Sequence, residues 1–144
     1  NLIVARTFSK AYGLAGLRVG YLLADPGVVR VLERLRESFN VNGVGLAGAE
    51  AALADGDHLA RSREFNNRER EWLRGELQAR GYRCLPSQAN FLLVELDRDA
   101  GALERHLFER GVIVRPMGGY GLPHTLRISI GSHAGNARLL AALP

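Results

Sequence analysis

Two short, continuously apolar runs open the chain. Residues 2–5 and 19–23 read as buried strands, because each is brief and apolar throughout rather than alternating. Pro26 suits the first turn of a helix, and Val28, Leu32, Leu35 and Phe39 recur at helical spacing, so an amphipathic helix is expected over residues 26–38. Asn40, Asn42 and Gly43 break that pattern. Residues 47–54 read as helical and Asp55-Gly56 as a break. Asp57 is the expected cap of a further helix that runs to Arg80 and stops at Gly81. At about 1.5 Å per residue that helix is roughly 36 Å long, enough to join two domains. Its apolar stripe, Phe65, Trp72, Leu73 and Leu77, reads as core rather than as a ligand site.

From Tyr82 the pattern changes to shorter units. Residues 90–96 read as a strand, and Asp99 caps a helix with Leu103, Leu107 and Phe108 on its apolar side, ended by Gly111. A short strand over 112–115 follows, then a turn built from Gly118, Gly119 and Gly121 around Tyr120. Over 125–130 apolar and polar positions alternate, which puts Leu126, Ile128 and Ile130 on one face and Arg127 and Ser129 on the other. A helix over 134–143 closes the chain. No internal repeat or low-complexity linker interrupts this mixture of strands and helices, so the fold class is α/β.

The polar stretch between the first two runs, RTFSKAYGLAGLRVGY, carries the chemistry. Thr7 and Ser9 precede Lys10; Gly13, Gly16 and Gly20 follow it, and Arg18 stands eight residues past the lysine. An amine condenses with an aldehyde to a Schiff base, which a guanidinium does not do. Hydroxyls give single hydrogen bonds to a phosphate and a guanidinium grips two of its oxygens. Of the 19 Lys plus Arg, Lys10 is the sole lysine, so the other cations are all arginine. That composition asks what an amine is for at position 10. Spacing alone leaves a chance surface lysine in a glycine-rich loop as the alternative.

Length and composition narrow the remaining classes. The chain has 144 residues, enough for one ordinary domain, with 47% hydrophobic and 24% charged positions. Net charge is +4, but Arg61, Arg63, Arg68, Arg70 and Arg74 are interspersed with Glu64, Glu69, Glu71 and Glu76. Such a mixture indicates a solvated helix face and argues against an arginine-rich nucleic-acid binder. No apolar run is long enough for a membrane helix, and no signal peptide is evident. The single cysteine, Cys84, has no intrachain partner, fits a reducing cytoplasm and is read as a small apolar filler.

Gly43, Gly45 and Gly48 match GxGxxG, but a dinucleotide fingerprint needs a strand immediately before it, and here a helix and an Asn-rich turn precede. A helix start packed closely on its neighbours through small residues is the preferred reading over a dinucleotide-binding module. Arg127 is either an arginine on a solvated sheet face or a bidentate clamp for an anion. His58, His106, His124 and His133 fit no metal-binding spacing, so no metal is expected.

SKAYGLAGLRVGY resembles the cofactor-lysine segment of fold-type I pyridoxal-phosphate aminotransferases, and the likeness continues through LLADPGVVRVLERLRESFNVN, ANFLLVEL, GVIVRPM and LRISIG. It covers nearly the whole chain in the right order, with histidinol-phosphate aminotransferases as the most similar subgroup. The resemblance implies an aspartate-aminotransferase-like fragment: residues 1–43 from the end of a large cofactor domain, 44–81 as connecting helices and 82–144 as a small α/β domain. It implies that Lys10 holds pyridoxal 5'-phosphate and moves the substrate α-proton, and that Thr7, Ser9 and Arg18 anchor the phosphate. It further implies that Arg127, helped by Arg115, fixes the substrate anion. The implied reaction is amino transfer between histidinol phosphate and 2-oxoglutarate in histidine biosynthesis, by a cytoplasmic homodimer that binds no nucleic acid or membrane. Another class I/II aminotransferase or a threonine-phosphate decarboxylase shares the same segments.

Ser132 to Asn136 departs from the more acidic, Thr-containing sequence expected after the LRISIG strand, which leaves substrate choice open. In the family an acid facing the pyridine nitrogen, an asparagine and a tyrosine precede the lysine. The chain opens at Asn1 directly into an apolar run, so it is expected to be the C-terminal part of a larger enzyme and to lack robust activity alone.

Overall fold

Residues Ile3–Thr7 (β1) and Gly20–Ala24 (β2) pair antiparallel, with Ile3 opposite Ala24 and Thr7 opposite Gly20. The computed structural model describes all residues, 1–144, and they form two compact units, Asn1–Arg63 and Glu64–Pro144. In the first unit the two apolar runs form strands, but their burial is uneven: Val19 is 6% exposed, whereas Leu2 is 72% and Leu23 60% exposed. An apolar run signals surface that must be covered, and a two-stranded ribbon has no second layer of its own to cover it.

The helix expected over 26–38 is shorter. It spans Pro26–Glu33 (α1), with Asp25 accepting a hydrogen bond from the Gly27 amide at 2.7 Å and Pro26 in its first turn. Val28 and Leu32 are half-buried, whereas Leu35 and Phe39 are 76% and 98% exposed, so the last part of the stripe finds nothing to pack on. Tertiary packing of the apolar face, more than propensity, is what sustains a short helix. The next helix starts earlier than expected, at Gly43–Ala54 (α2), because Asn42 caps it: its side chain accepts from the Gly45 amide at 2.7 Å. A β-carbon added at Gly45 would lie 2.6 Å from Val19 Cγ2, and one at Gly48 2.8 Å from Leu17 Cδ1. Gly45 and Gly48 therefore serve close helix packing, whereas a β-carbon at Gly43 would meet nothing within 4 Å, and Phe8, Val19 and Ala49 form the small core.

Gly56–Ala79 (α3) follows, and Asp55 rather than Asp57 caps it, accepting from the His58 amide at 2.9 Å. Gly81 ends it at φ 85°, while the Tyr82 amide reaches back to the Leu77 carbonyl at 3.0 Å. The second unit holds a four-stranded antiparallel sheet. Its strands are Arg83–Cys84 (β3), Phe91–Glu95 (β4), Arg115–Met117 (β5) and Leu122–Ser129 (β6), in the order β3-β4-β6-β5. Gly101–Glu109 (α4) and His133–Ala142 (α5) are its remaining helices. β5 starts later than expected because the Val112 amide is drawn back to the Leu107 carbonyl, closing α4.

Alternation along β4 and β6 turns Leu92, Val94, Leu126 and Ile128 to one face. There they cluster with Leu73 and Leu77 of α3, Leu107 of α4 and Leu139 of α5. The stripe expected on α3 thus divides: Leu73 and Leu77 are fully buried and Trp72 packs on the core, while Phe65 is 40% exposed. One polar cluster is also buried. Glu69 accepts from the Asn136 amide group at 3.1 Å, and Asn136 in turn pairs with both the amide and the carbonyl of Gly131. His133 Nδ1 lies 3.2 Å from the same Glu69 oxygen, with its ring against Trp72. A hydrogen bond from Arg74 holds the Glu71 carboxyl below the usual range, and burial pushes the Cys84 thiol up against the opposing charge of Arg74.

Candidate active site

β1 ends at Thr7, and the chain turns immediately. The Ser9 amide donates to Thr7 Oγ1 at 3.1 Å, the Gly13 amide to the Lys10 carbonyl at 2.9 Å, and the Leu14 amide to the Phe8 carbonyl at 3.0 Å. Phe8, 3% exposed, is the anchor beneath this turn: its ring packs 4.9 Å from Tyr12 and 5.8 Å from Tyr21, and its amide donates to the Val19 carbonyl. Gly13 takes φ 72°, a conformation that costs a glycine nothing. Lys10 itself is exposed.

The return strand completes the group. Thr7 stands opposite Gly20 in the β1–β2 ladder, and Arg18 lies two residues before Gly20, so Thr7, Ser9, Lys10 and Arg18 gather at one end of the ribbon. Arg18 adopts a left-handed conformation, φ 54° and ψ 47°, with its guanidinium donating to the Ala15 carbonyl at 2.9 Å. Neither Lys10 nor Arg18 is ion-paired. Two cations and two hydroxyls without an acid among them make a donor set for an anion.

A second group lies in the Glu64–Pro144 unit. Arg115 on β5 stands directly opposite Arg127 on β6. Like charges in that position destabilise a strand pair, and an anion between them reverses the sign. Both arginines line a cavity of about 500 Å³ together with Ile113, Val114, Pro116 and Ser129. Arg127 Cζ is 5.5 Å from the centre of the Phe91 ring. The structure thus brings Arg115 and Arg127 together, as it does Thr7, Ser9, Lys10 and Arg18. Of the histidines, His106 reaches the Ala142 carbonyl and His133 reaches Glu69, and no group of three or more His, Cys, Asp or Glu could hold a metal ion.

The sequence profile described as "Aminotransferase class I and II" matches residues 1–143. The chain belongs to the aminotransferase class I and II family. It is similar to histidinol-phosphate aminotransferase 2 of Pseudomonas aeruginosa, with 52% identity over 143 residues that make up 99% of this chain and 39% of that protein. The solved histidinol-phosphate aminotransferase of Sinorhizobium meliloti, in complex with pyridoxal-5'-phosphate, matches with a TM-score of 0.91 at 38% identity, over 100% of this chain and 40% of that one. Aspartate aminotransferase of Thermotoga maritima shares the fold, with a TM-score of 0.83 at 21% identity, over 97% of this chain and 38% of that one. The chain therefore has an aspartate-aminotransferase-like α/β fold, and it spans about two fifths of the length of the curated relatives it matches.

Two aromatic residues of this aminotransferase-family chain were not singled out by sequence. Phe8 is a lone aromatic inside the polar RTFSK segment, and that isolation was the signal for it. Phe91 stands within ANFLLVEL, where nothing distinguishes it from its apolar neighbours until the ladder register is known.

Proposed function

We propose that the chain is part of a pyridoxal-5'-phosphate-dependent transaminase that exchanges amino groups between histidinol phosphate and 2-oxoglutarate in histidine biosynthesis. The observation that carries this reading is the exposed, unpaired Lys10 amine grouped with two hydroxyls and an unpaired Arg18. The substrate pair rests on likeness to histidinol-phosphate aminotransferases. The donor set fits the coenzyme: Thr7, Ser9 and Arg18 would bind its phosphate, and Lys10, whose amine no acid engages, would carry its aldehyde. When bound, pyridoxal 5'-phosphate supplies an electron sink for the bonds at the substrate α-carbon.

The remaining work falls to this chain's own groups. Lys10 Nζ is the base that takes the proton from the substrate α-carbon. Arg127, with Arg115 opposite it, binds the substrate's anionic group. In domain terms, residues 1–43 belong to the large cofactor domain, 44–81 to the connecting helices and 82–144 to the small domain. The whole enzyme is a homodimer of the cytoplasm, and the free Cys84 suits that reducing compartment.

Borohydride reduction of the coenzyme-loaded full-length enzyme, followed by peptide mapping, tests the assignment. The coenzyme is expected on the peptide containing Lys10, and Lys10→Ala is expected to lower turnover at least about 1,000-fold. Label on any other peptide ends the assignment. Release of CO2 in place of glutamate formation ends the transaminase reading in favour of a decarboxylase.

A further inference from the structure

We infer that Phe91 is a positioning residue that presents Arg127 to the substrate's anionic group, an inference that rests on the clamp role proposed above for Arg127. The ladder places Leu93 opposite Arg127 and Phe91 opposite Ser129. Phe91 and Arg127 are therefore diagonal neighbours on one face, the face turned away from Leu92, Val94, Leu126 and Ile128. Diagonal partners in an antiparallel pair are about 7–8 Å apart at the backbone, within reach of an aromatic ring and a long side chain. The Arg127 guanidinium carbon duly lies 5.5 Å from the centre of the Phe91 ring.

Nothing else holds that guanidinium. Arg127 forms no ion pair, and the residue directly across the other ladder is Arg115, which repels it. A carboxylate in the position of Phe91 would also hold the cation, but it would occupy the N–H donors that the substrate needs. A ring attracts the cation through its π face and engages none of the five N–H groups as a hydrogen-bond acceptor would, so they stay free for carboxylate or phosphate. The ring is itself on a pinned strand. Ser87 Oγ donates to the Phe91 carbonyl at 2.6 Å, and the Ile130 amide donates to the Asn90 carbonyl at 2.9 Å. One residue earlier, the Ala89 carbonyl accepts from both Asn66 and the buried Arg70. An arginine held in place before the substrate arrives loses less freedom on binding, and that gain appears in affinity rather than in the chemical step.

The test is a mutant cycle in the full-length enzyme with histidinol phosphate as substrate and histidinol, which lacks the phosphate, as the comparison without an anionic group. Phe91→Leu is expected to raise KM for histidinol phosphate about 3- to 10-fold while kcat stays within about twofold, with no change for histidinol. Phe91→Tyr, which keeps the ring, is expected to restore KM. Phe91→Ile, a second ring-free variant suited to a strand, is expected to reproduce the Leu result if Leu proves poorly folded. In an Arg127→Ala background, Phe91→Leu is expected to add nothing. An equal further rise in that background overturns the inference, as does an unchanged KM in Phe91→Leu while Arg127→Ala raises it. If Arg127→Ala leaves KM unchanged, the clamp reading itself falls.

Discussion

Arg18 carries a Cβ into the left-handed backbone region at φ 54°, a placement that costs a non-glycine residue about 1 kcal/mol. Phe39 shares that conformation but is 98% exposed and part of no site, so the conformation alone assigns no role. What marks Arg18 is its place beside Thr7, Ser9 and Lys10. Arg18→Gly is expected to leave the melting temperature unchanged or slightly raised, because it relieves the strain, and to weaken coenzyme affinity about tenfold or more. A thermal melt of the coenzyme-free protein and a spectrophotometric coenzyme titration measure the two effects. Coenzyme affinity equal to the native value removes Arg18 from the phosphate site. At this scale the candidate Lys10 can be picked out from sequence, because a lone lysine among arginines stands out in composition. Phe91 was not, because its partner lies on another strand and a sequence does not print a ladder register.

Elements were legible in kind and less so in extent. All the strands and helices expected between residues 2 and 143 occur, but α1 stops short where its apolar stripe runs out of partners, and β5 waits until α4 has closed. The GxGxxG letters show how one pattern serves two physical ends. The sequence context favoured close packing, and the 2.6 Å that would separate a Gly45 β-carbon from Val19 Cγ2 supplies the reason. Gly45→Ala should therefore destabilise the first unit by about 1–2 kcal/mol, overpacking outweighing the better helix propensity of alanine. A melting temperature at or above that of the native protein contradicts this. In the second unit Asn136→Ala strips partners from Glu69 and from both polar groups of Gly131. A loss of about 1–3 kcal/mol in denaturant unfolding is expected, and a loss below about 0.5 kcal/mol shows that the cluster is not stabilising.

Over the whole molecule, apolar surface is distributed unevenly. In the first unit Leu2, Leu23, Val31, Leu35, Phe39, Val44, Leu46 and Leu53 are all more than half exposed. The sequence marked Leu2 and Leu23 as buried strand positions, and in this chain both are exposed. The 144 residues alone are expected to self-associate and to bind a hydrophobic dye in solution. Light scattering across a concentration series checks this, and a monodisperse, dye-silent 144-residue chain contradicts it.

The exposed Lys10, alone of its kind in 144 residues, has a practical corollary. Any reagent selective for primary amines has one side-chain target in this stretch, and a protease that cuts after lysine divides it at a single bond. A bulky acyl group placed there would report on the surroundings of that nitrogen without confusion from other sites. Arginine elsewhere leaves position 10 as a solitary chemical handle.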